Sequence, residues 1–112
     1  MGAIFSSSDN GNSEQCQKFI QDVISSHSVV IFSKTTCPYC SRVKTLFKNI
    51  NVQPFVVELN QRDDMSACQS ILGSMTGRTT VPRVFINGKS IGGCDDAHAL
   101  HANGKLESLI KT

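Results

Sequence analysis

The sequence has no apolar run approaching the ~20 residues that a membrane span needs, so no transmembrane segment is expected. Its N-terminus lacks a basic region followed by an apolar stretch, so no secretory signal is expected either. No arginine precedes Arg42, which speaks against a mitochondrial transit peptide. A formal charge of +2 is too small to attract nucleic acid or to form a polybasic membrane patch. No nucleic-acid-binding motif and no internal repeat is present. There is also no second Cys-x-x-Cys. The five cysteines are an odd number, whereas a secreted disulfide scaffold usually carries an even set. The expectation is a reducing compartment, the cytoplasm, with one working cysteine pair.

The 112 residues, 39% hydrophobic and 18% charged, suffice for one domain with one core. Residues 1–13 are rich in Ser, Asn and Gly and are expected as a flexible tail, with a folded domain over 14–112. The tail begins Met-Gly-Ala-Ile-Phe-Ser. That pattern makes Gly2 a myristoylation candidate and allows a membrane contact only if Gly2 is acylated.

From Glu14 to His27 the apolar residues Cys16, Phe19, Ile20, Val23 and Ile24 recur at helical spacing. Val29–Phe32 is a short β-branched run, expected as a buried strand. Val43, Leu46, Phe47 and Ile50 form a second helical stripe, and Pro54–Leu59 a second strand. A third helix is expected over Asp63–Thr76, closed by Gly77 in the left-handed conformation. Val84–Ile86 and Ser90–Ile91 flank Asn87-Gly88, a strong hairpin signal. Asp95 or Asp96 is then expected to cap a fourth helix, which Gly104 divides from a last one over Lys105–Lys111. The order α-β-α-β-α-β-β-α implies an α/β fold: a four-stranded mixed sheet with helices on both faces. The helical crossover makes the first two strands parallel, and the tight turn makes the last two antiparallel.

Cys37-Pro38-Tyr39-Cys40 lies between a strand and a helix. Pro38 suits the first helical position, where a missing N–H costs nothing. Cys37 then sits at the helix N-terminus, where free N–H groups and the macrodipole favour an anion. Lys34 adds a nearby cation. Cys40 lies one turn inside and is expected to be less exposed. Cys37 is therefore the attacking sulfur and Cys40 the resolving one.

Magnitudes show what such a thiol is suited to. A thiol of pKa ~8.5 is about 3% ionised at pH 7, and lowering that value to ~5 raises the thiolate roughly 30-fold. Intrinsic nucleophilicity falls with a slope of ~0.5, which loses roughly 50-fold. Attack hardly gains; departure does, because a stable thiolate is a good leaving group.

A zinc site would need two further ligands. His98 and His101 share a helix face but lie far along the chain. A structural disulfide is the other plain reading of the pair, and redox chemistry is the reading that fits its position. Cys16 and Cys68 fall on apolar helix faces and are expected as core thiols.

Three spaced motifs resemble the glutaredoxin family: Phe32-Ser33-Lys34-Thr35-Thr36-Cys37-Pro38-Tyr39-Cys40, then Thr80-Val81-Pro82, then Gly92-Gly93-Cys94-Asp95-Asp96. The resemblance covers about Ser13–Thr112. It is nearest to the animal glutaredoxin-2 branch over Val56–Asn60, Met75–Gly88 and His98–Leu106. It implies the thioredoxin fold, and glutathione as reductant and bound substrate. Partners would be glutathionylated or disulfide-containing proteins, met by a monomer.

The resemblance also implies a cis Val81–Pro82 bond that presents the Val81 backbone to an extended peptide. Asp95 and Asp96 would meet the γ-glutamyl end, Lys34 and Gln69 the glycine carboxylate, and Tyr39 the sulfur. Thr80 would act in positioning. Cys94, beside the glutathione loop, reads either as a packed thiol or as a regulatory one. Other members of the family are mitochondrial, or hold a [2Fe–2S] cluster between two subunits through the first cysteine and glutathione. Pro38 stands where cluster binders often carry a small residue, which disfavours that alternative here.

Overall fold

The computed structural model describes the backbone of residues 3–111 and the side chains of residues 13–111. Gly2, the acylation candidate, lies outside the described residues. The elements run α1 (Ala3–Ser26), β1 (Val29–Ser33), α2 (Pro38–Asn49), β2 (Phe55–Glu58), α3 (Met65–Thr76), β3 (Arg83–Ile86), β4 (Lys89–Gly92), α4 (Cys94–Ala102) and α5 (Leu106–Lys111). A short 3₁₀ turn over Leu59–Gln61 follows β2.

Four strands form one mixed sheet in the order β2-β1-β3-β4. β1 is central, parallel to β2 with Ile31 opposite Val56, and antiparallel to β3 with Ile31 opposite Val84. The β3–β4 hairpin turns at Asn87-Gly88, where both residues take positive φ, 50° and 83°. The expected α/β architecture, strand directions and turn are therefore present.

Side chains of a strand alternate between faces, so β1 serves two cores. Val30 and Phe32 join Ile20, Val23, Leu72 and Phe85 beneath α1 and α3. Val29 and Ile31 join Val43, Phe47, Ala97 and Leu106 beneath α2, α4 and α5. All five β1 residues are buried, as a central strand covered on both sides requires.

Two expectations need correction. The first helix begins at Ala3 rather than Glu14, so most of the segment expected as a tail has helical backbone. Ser, Asn and Gly lower helix propensity by no more than ~1 kcal/mol each, and the segment has no proline to stop propagation from the strong helix after it. The fourth helix begins at Cys94 with Gly93 as its N-cap, so neither Asp95 nor Asp96 holds that position. Gly77 closes α3 at φ 84° as expected, and Gly104 separates α4 from α5 at φ 73°.

Phe32 is fully buried and meets Phe85 edge-to-face at 5.6 Å. Truncation in a core of interior density leaves a cavity that neighbours fill only partly. We expect Phe32→Ala to lose about 3–5 kcal/mol in urea unfolding. A loss under about 1 kcal/mol would show that the core closes over the gap.

Candidate functional site

The site begins where β1 stops. The chain leaves buried Ser33 and turns, with the Cys37 N–H donating to the Lys34 carbonyl at 3.1 Å. Asn60, just after β2, clamps this turn twice. Its Oδ1 accepts from the Thr35 N–H at 3.0 Å, and its Nδ2 donates to Thr35 Oγ1 at 2.7 Å. A central strand thus delivers the cysteine, and a neighbouring strand end holds the loop that carries it.

Cys37 is the N-cap of α2 and Pro38 opens the helix. Helix starts leave N–H groups without intrahelical partners. One of them, that of Cys40, donates to Cys37 Sγ at 3.4 Å. The Cys37 thiol lies half-buried, 3.8 Å from the Val81 carbonyl, to which it donates. The first sulfur therefore sits between a helix N-terminus and the backbone of a second loop.

Cys40 is fully buried on the other side of the turn. Burial pushes its thiol above the ordinary range, partly offset by the Lys34 backbone and the Ser33 hydroxyl. Its proximity to Cys37 pushes in the same direction as burial. The two thiols thus differ as their places in the helix led us to expect, one at the surface and one beneath it.

The second loop runs Thr79–Pro82. Gln69, in α3, donates from Nε2 to the Thr79 carbonyl at 3.0 Å. Thr80 is exposed, Val81 half-buried and Pro82 buried. The Val81–Pro82 bond is cis. Next comes Arg83, 7% exposed, whose Nε donates to the Pro82 carbonyl at 3.0 Å. Burial lowers the Arg83 pKa and nearby Arg78 adds to this, while Asp96 opposes it.

A Cβ on Gly93 would lie 2.7 Å from Arg83 Nη2, so a larger residue there has to displace the guanidinium. The Asp96 carboxylate reaches back and accepts from the Gly93 N–H at 2.9 Å. A surface cleft of about 520 Å³ gathers Arg78, Arg83, Gly92, Asp95 and Asp96. Cys94 is 5% exposed, and burial raises its pKa. Its Sγ lies 3.5 Å from His98 Nδ1, whose ring also meets the Cys94 carbonyl at 2.9 Å. The packed reading of this thiol matches its surroundings.

Tyr39 stands out from α2 at 55% exposure, with the Arg42 guanidinium 5.7 Å from its ring centroid. Hydrogen bonds thus join Cys37 to Cys40 and Val81, and join Asp96 to the Gly92-Gly93 loop. Gln69 enters through Thr79, and Lys34 through its carbonyl. Sequence reasoning missed three supporting residues: Asn60, Thr79 and Arg83. Only Arg83 left a signal, being a cation at the start of an otherwise apolar strand, where a buried charge needs polar partners.

One sequence expectation fails outright. Cys16 and Cys68 are buried as foreseen, but they are joined in a disulfide and are not free thiols. The free cysteines are Cys37, Cys40 and Cys94. Connectivity between residues 52 positions apart depends on which helices pack together, and a sequence pattern does not state that.

Comparison with known proteins agrees with this arrangement. A family model described as Glutaredoxin matches residues 29–91. Glutaredoxin-C4 of Arabidopsis thaliana is 48% identical over 92 residues, covering 82% of this chain and 68% of the relative. Glutaredoxin-2, mitochondrial, of Bos taurus is 52% identical over 91 residues, covering 81% of this chain and 58% of the relative. A crystal structure of a buckwheat glutaredoxin–glutathione complex superposes with a TM-score of 0.88 at 42% identity, covering 90% of this chain and 92% of that one. The chain belongs to the glutaredoxin family of thiol–disulfide oxidoreductases.

Proposed function

We propose that this chain uses glutathione to reduce mixed disulfides of protein thiols, and reduces protein disulfides through Cys37 and Cys40. The observation that carries the reading is the setting of Cys37 Sγ, 3.4 Å from the Cys40 N–H and 3.8 Å from the Val81 carbonyl. The N–H and the helix dipole stabilise negative charge on the sulfur. The Val81 backbone offers an edge on which an extended peptide can pair as an added strand. A buckwheat relative was crystallised with such a peptide, glutathione.

In the first half-reaction the Cys37 thiolate attacks the glutathione sulfur of a glutathionylated protein. The S–S bond breaks, the protein thiolate leaves and takes a proton, and Cys37 carries glutathione. A second glutathione thiolate then attacks the sulfur of the bound one. Cys37 departs as a thiolate and glutathione disulfide is released. Protein disulfides follow another branch. Cys37 forms a mixed disulfide with the substrate, and Cys40 displaces the substrate thiolate to leave Cys37–Cys40 oxidised.

In this reading the Val81 backbone pairs with the tripeptide, and Thr80 and Pro82 hold that edge. The amide of Gln69 and the ammonium of Lys34 take the glycine carboxylate. Asp95 and Asp96 meet the γ-glutamyl ammonium, while the free N–H groups of α4 face its carboxylate. Tyr39 flanks the sulfur. Arg83 acts at one remove, as a positioning residue that ties the Pro82 carbonyl to the Gly92-Gly93 loop.

The decisive assay is reduction of a glutathione mixed disulfide coupled to glutathione reductase. Cys37→Ser is expected to leave less than about 1% of the rate for both substrate types. Cys40→Ser should retain the mixed-disulfide rate within about threefold and lose protein-disulfide reduction. Full loss of the mixed-disulfide rate in Cys40→Ser would overturn the division of roles.

Burial of Cys40 adds a pH test. A raised thiol pKa means that the nucleophilic form grows only above the ordinary thiol range. In Cys37→Ser, iodoacetamide should label Cys40 slowly at neutral pH, with a rate still rising above pH ~9. A plateau below the ordinary thiol pKa would contradict the assignment.

A further inference from the structure

The Cys16–Cys68 disulfide takes no part in the reaction described above. It joins α1 to α3, and both sulfurs are fully buried. Two other contacts meet at the same seam. The Asp64 carboxylate, at the start of α3, lies 3.1 Å from Cys16 Sγ. Arg62 holds that carboxylate with two donors, Nε at 2.8 Å and Nη2 at 3.0 Å, and its guanidinium lies 3.9 Å from the Phe19 ring centroid on α1. The residue after Cys68 is Gln69, whose amide grips the Thr79 carbonyl.

We propose that Cys16 and Cys68 are a second redox site, one that remains oxidised while Cys37 and Cys40 turn over. Locked in this way against α1, α3 holds Gln69 and the Thr79–Val81 edge in place for the substrate. Formation needs an oxidant, and a small-molecule disulfide such as glutathione disulfide supplies it during folding, before α1 and α3 close over the two thiols. One cysteine thiolate attacks that disulfide and releases one thiolate. The second cysteine then attacks the protein sulfur of the mixed disulfide and releases the other. Two protein thiols are oxidised, one small disulfide becomes two thiols, and the two protons end on them.

Reduction is the reverse and must begin with attack on a sulfur. An incoming thiolate has no line to either one while α1 and α3 are packed. Cys37, half-buried at a loop, is open to the same reagent. Exchange at the two sites therefore differs in rate for a steric reason. The Asp64 carboxylate adds a second: Arg62 holds its pKa below the usual carboxylate range, so a negative charge faces any thiolate forming at Cys16. Because Cys68 and Gln69 are adjacent on one rigid helix, a shift of α3 moves both.

The test uses the full chain. Oxidised protein is placed in excess reduced glutathione, sampled over time, alkylated and weighed intact. Cys37 should label at once and buried Cys40 slowly, whereas Cys16 and Cys68 label only after denaturant is added. The double variant Cys16→Ala with Cys68→Ala should melt about 10–20 °C lower by circular dichroism. Its KM for a glutathione mixed disulfide should rise about two- to tenfold with kcat little changed. Were the variant not to fold, wild-type protein reduced in denaturant and refolded as the dithiol provides the same comparison.

The KM readout rests on the glutathione reading above, while labelling and melting do not, so the two ideas can fail separately. Labelling of Cys16 and Cys68 in the native protein as fast as that of Cys37 overturns the proposal. So does an unchanged melting temperature, or an unchanged KM in an otherwise active variant.

Discussion

The bond from the Cys40 N–H to Cys37 Sγ brings together a cysteine at the end of a buried strand and the open start of a helix. Every other feature of the site serves that meeting. β1 is hydrogen-bonded on both edges and covered on both faces, so its end is among the least mobile points of the fold. Asn60 ties the connecting loop to the turn that follows β2. Pro38 begins the helix without spending a donor. A sulfur that must accept and release partners repeatedly is thereby held by backbone geometry, which changes little between steps.

Burial sorts the cysteines into different chemistry. Cys37 is half-buried and can be reached; Cys40 lies one turn deeper and can be reached by Cys37. Cys94 is nearly as deep and faces His98 across 3.5 Å. Cys16 and Cys68 are closed off altogether and bonded to each other. The same element does different work in each place because thiol exchange needs an approach line and a charge-stabilising environment. The odd cysteine count, taken to mean one working pair in a reducing compartment, concealed a second pair made by helix packing.

Arg83 shows how the two halves of the site are joined. A guanidinium in a nearly closed position requires partners, and here they include the Pro82 carbonyl and the charge of Asp96. Its planar head occupies the space that a side chain on Gly93 would fill. The loop carrying Val81 and the loop opening α4 are thus spaced by one residue that lies directly in neither. Arginine suits this role because it stays charged and its donors fan out in a plane.

The periodicity of apolar residues was enough to establish the strands, most helices, the hairpin at Asn87-Gly88 and the left-handed cap at Gly77, because each depends on neighbours in the chain. The Cys-Pro-Tyr-Cys turn was legible for the same reason: proline position and helix polarity are local properties. The start of α1 was not, since composition rich in Ser, Asn and Gly only weakens a helix and does not end it. Nor was the true cap of α4, where the Asp96 side chain reaches back to Gly93. The Cys16–Cys68 bond, the Asn60 clamp and the Arg83 bridge were decided by the tertiary structure alone. Each joins segments separated along the chain or across the sheet, and only the packing of helices on a closed core determines which distant side chains come within bonding distance.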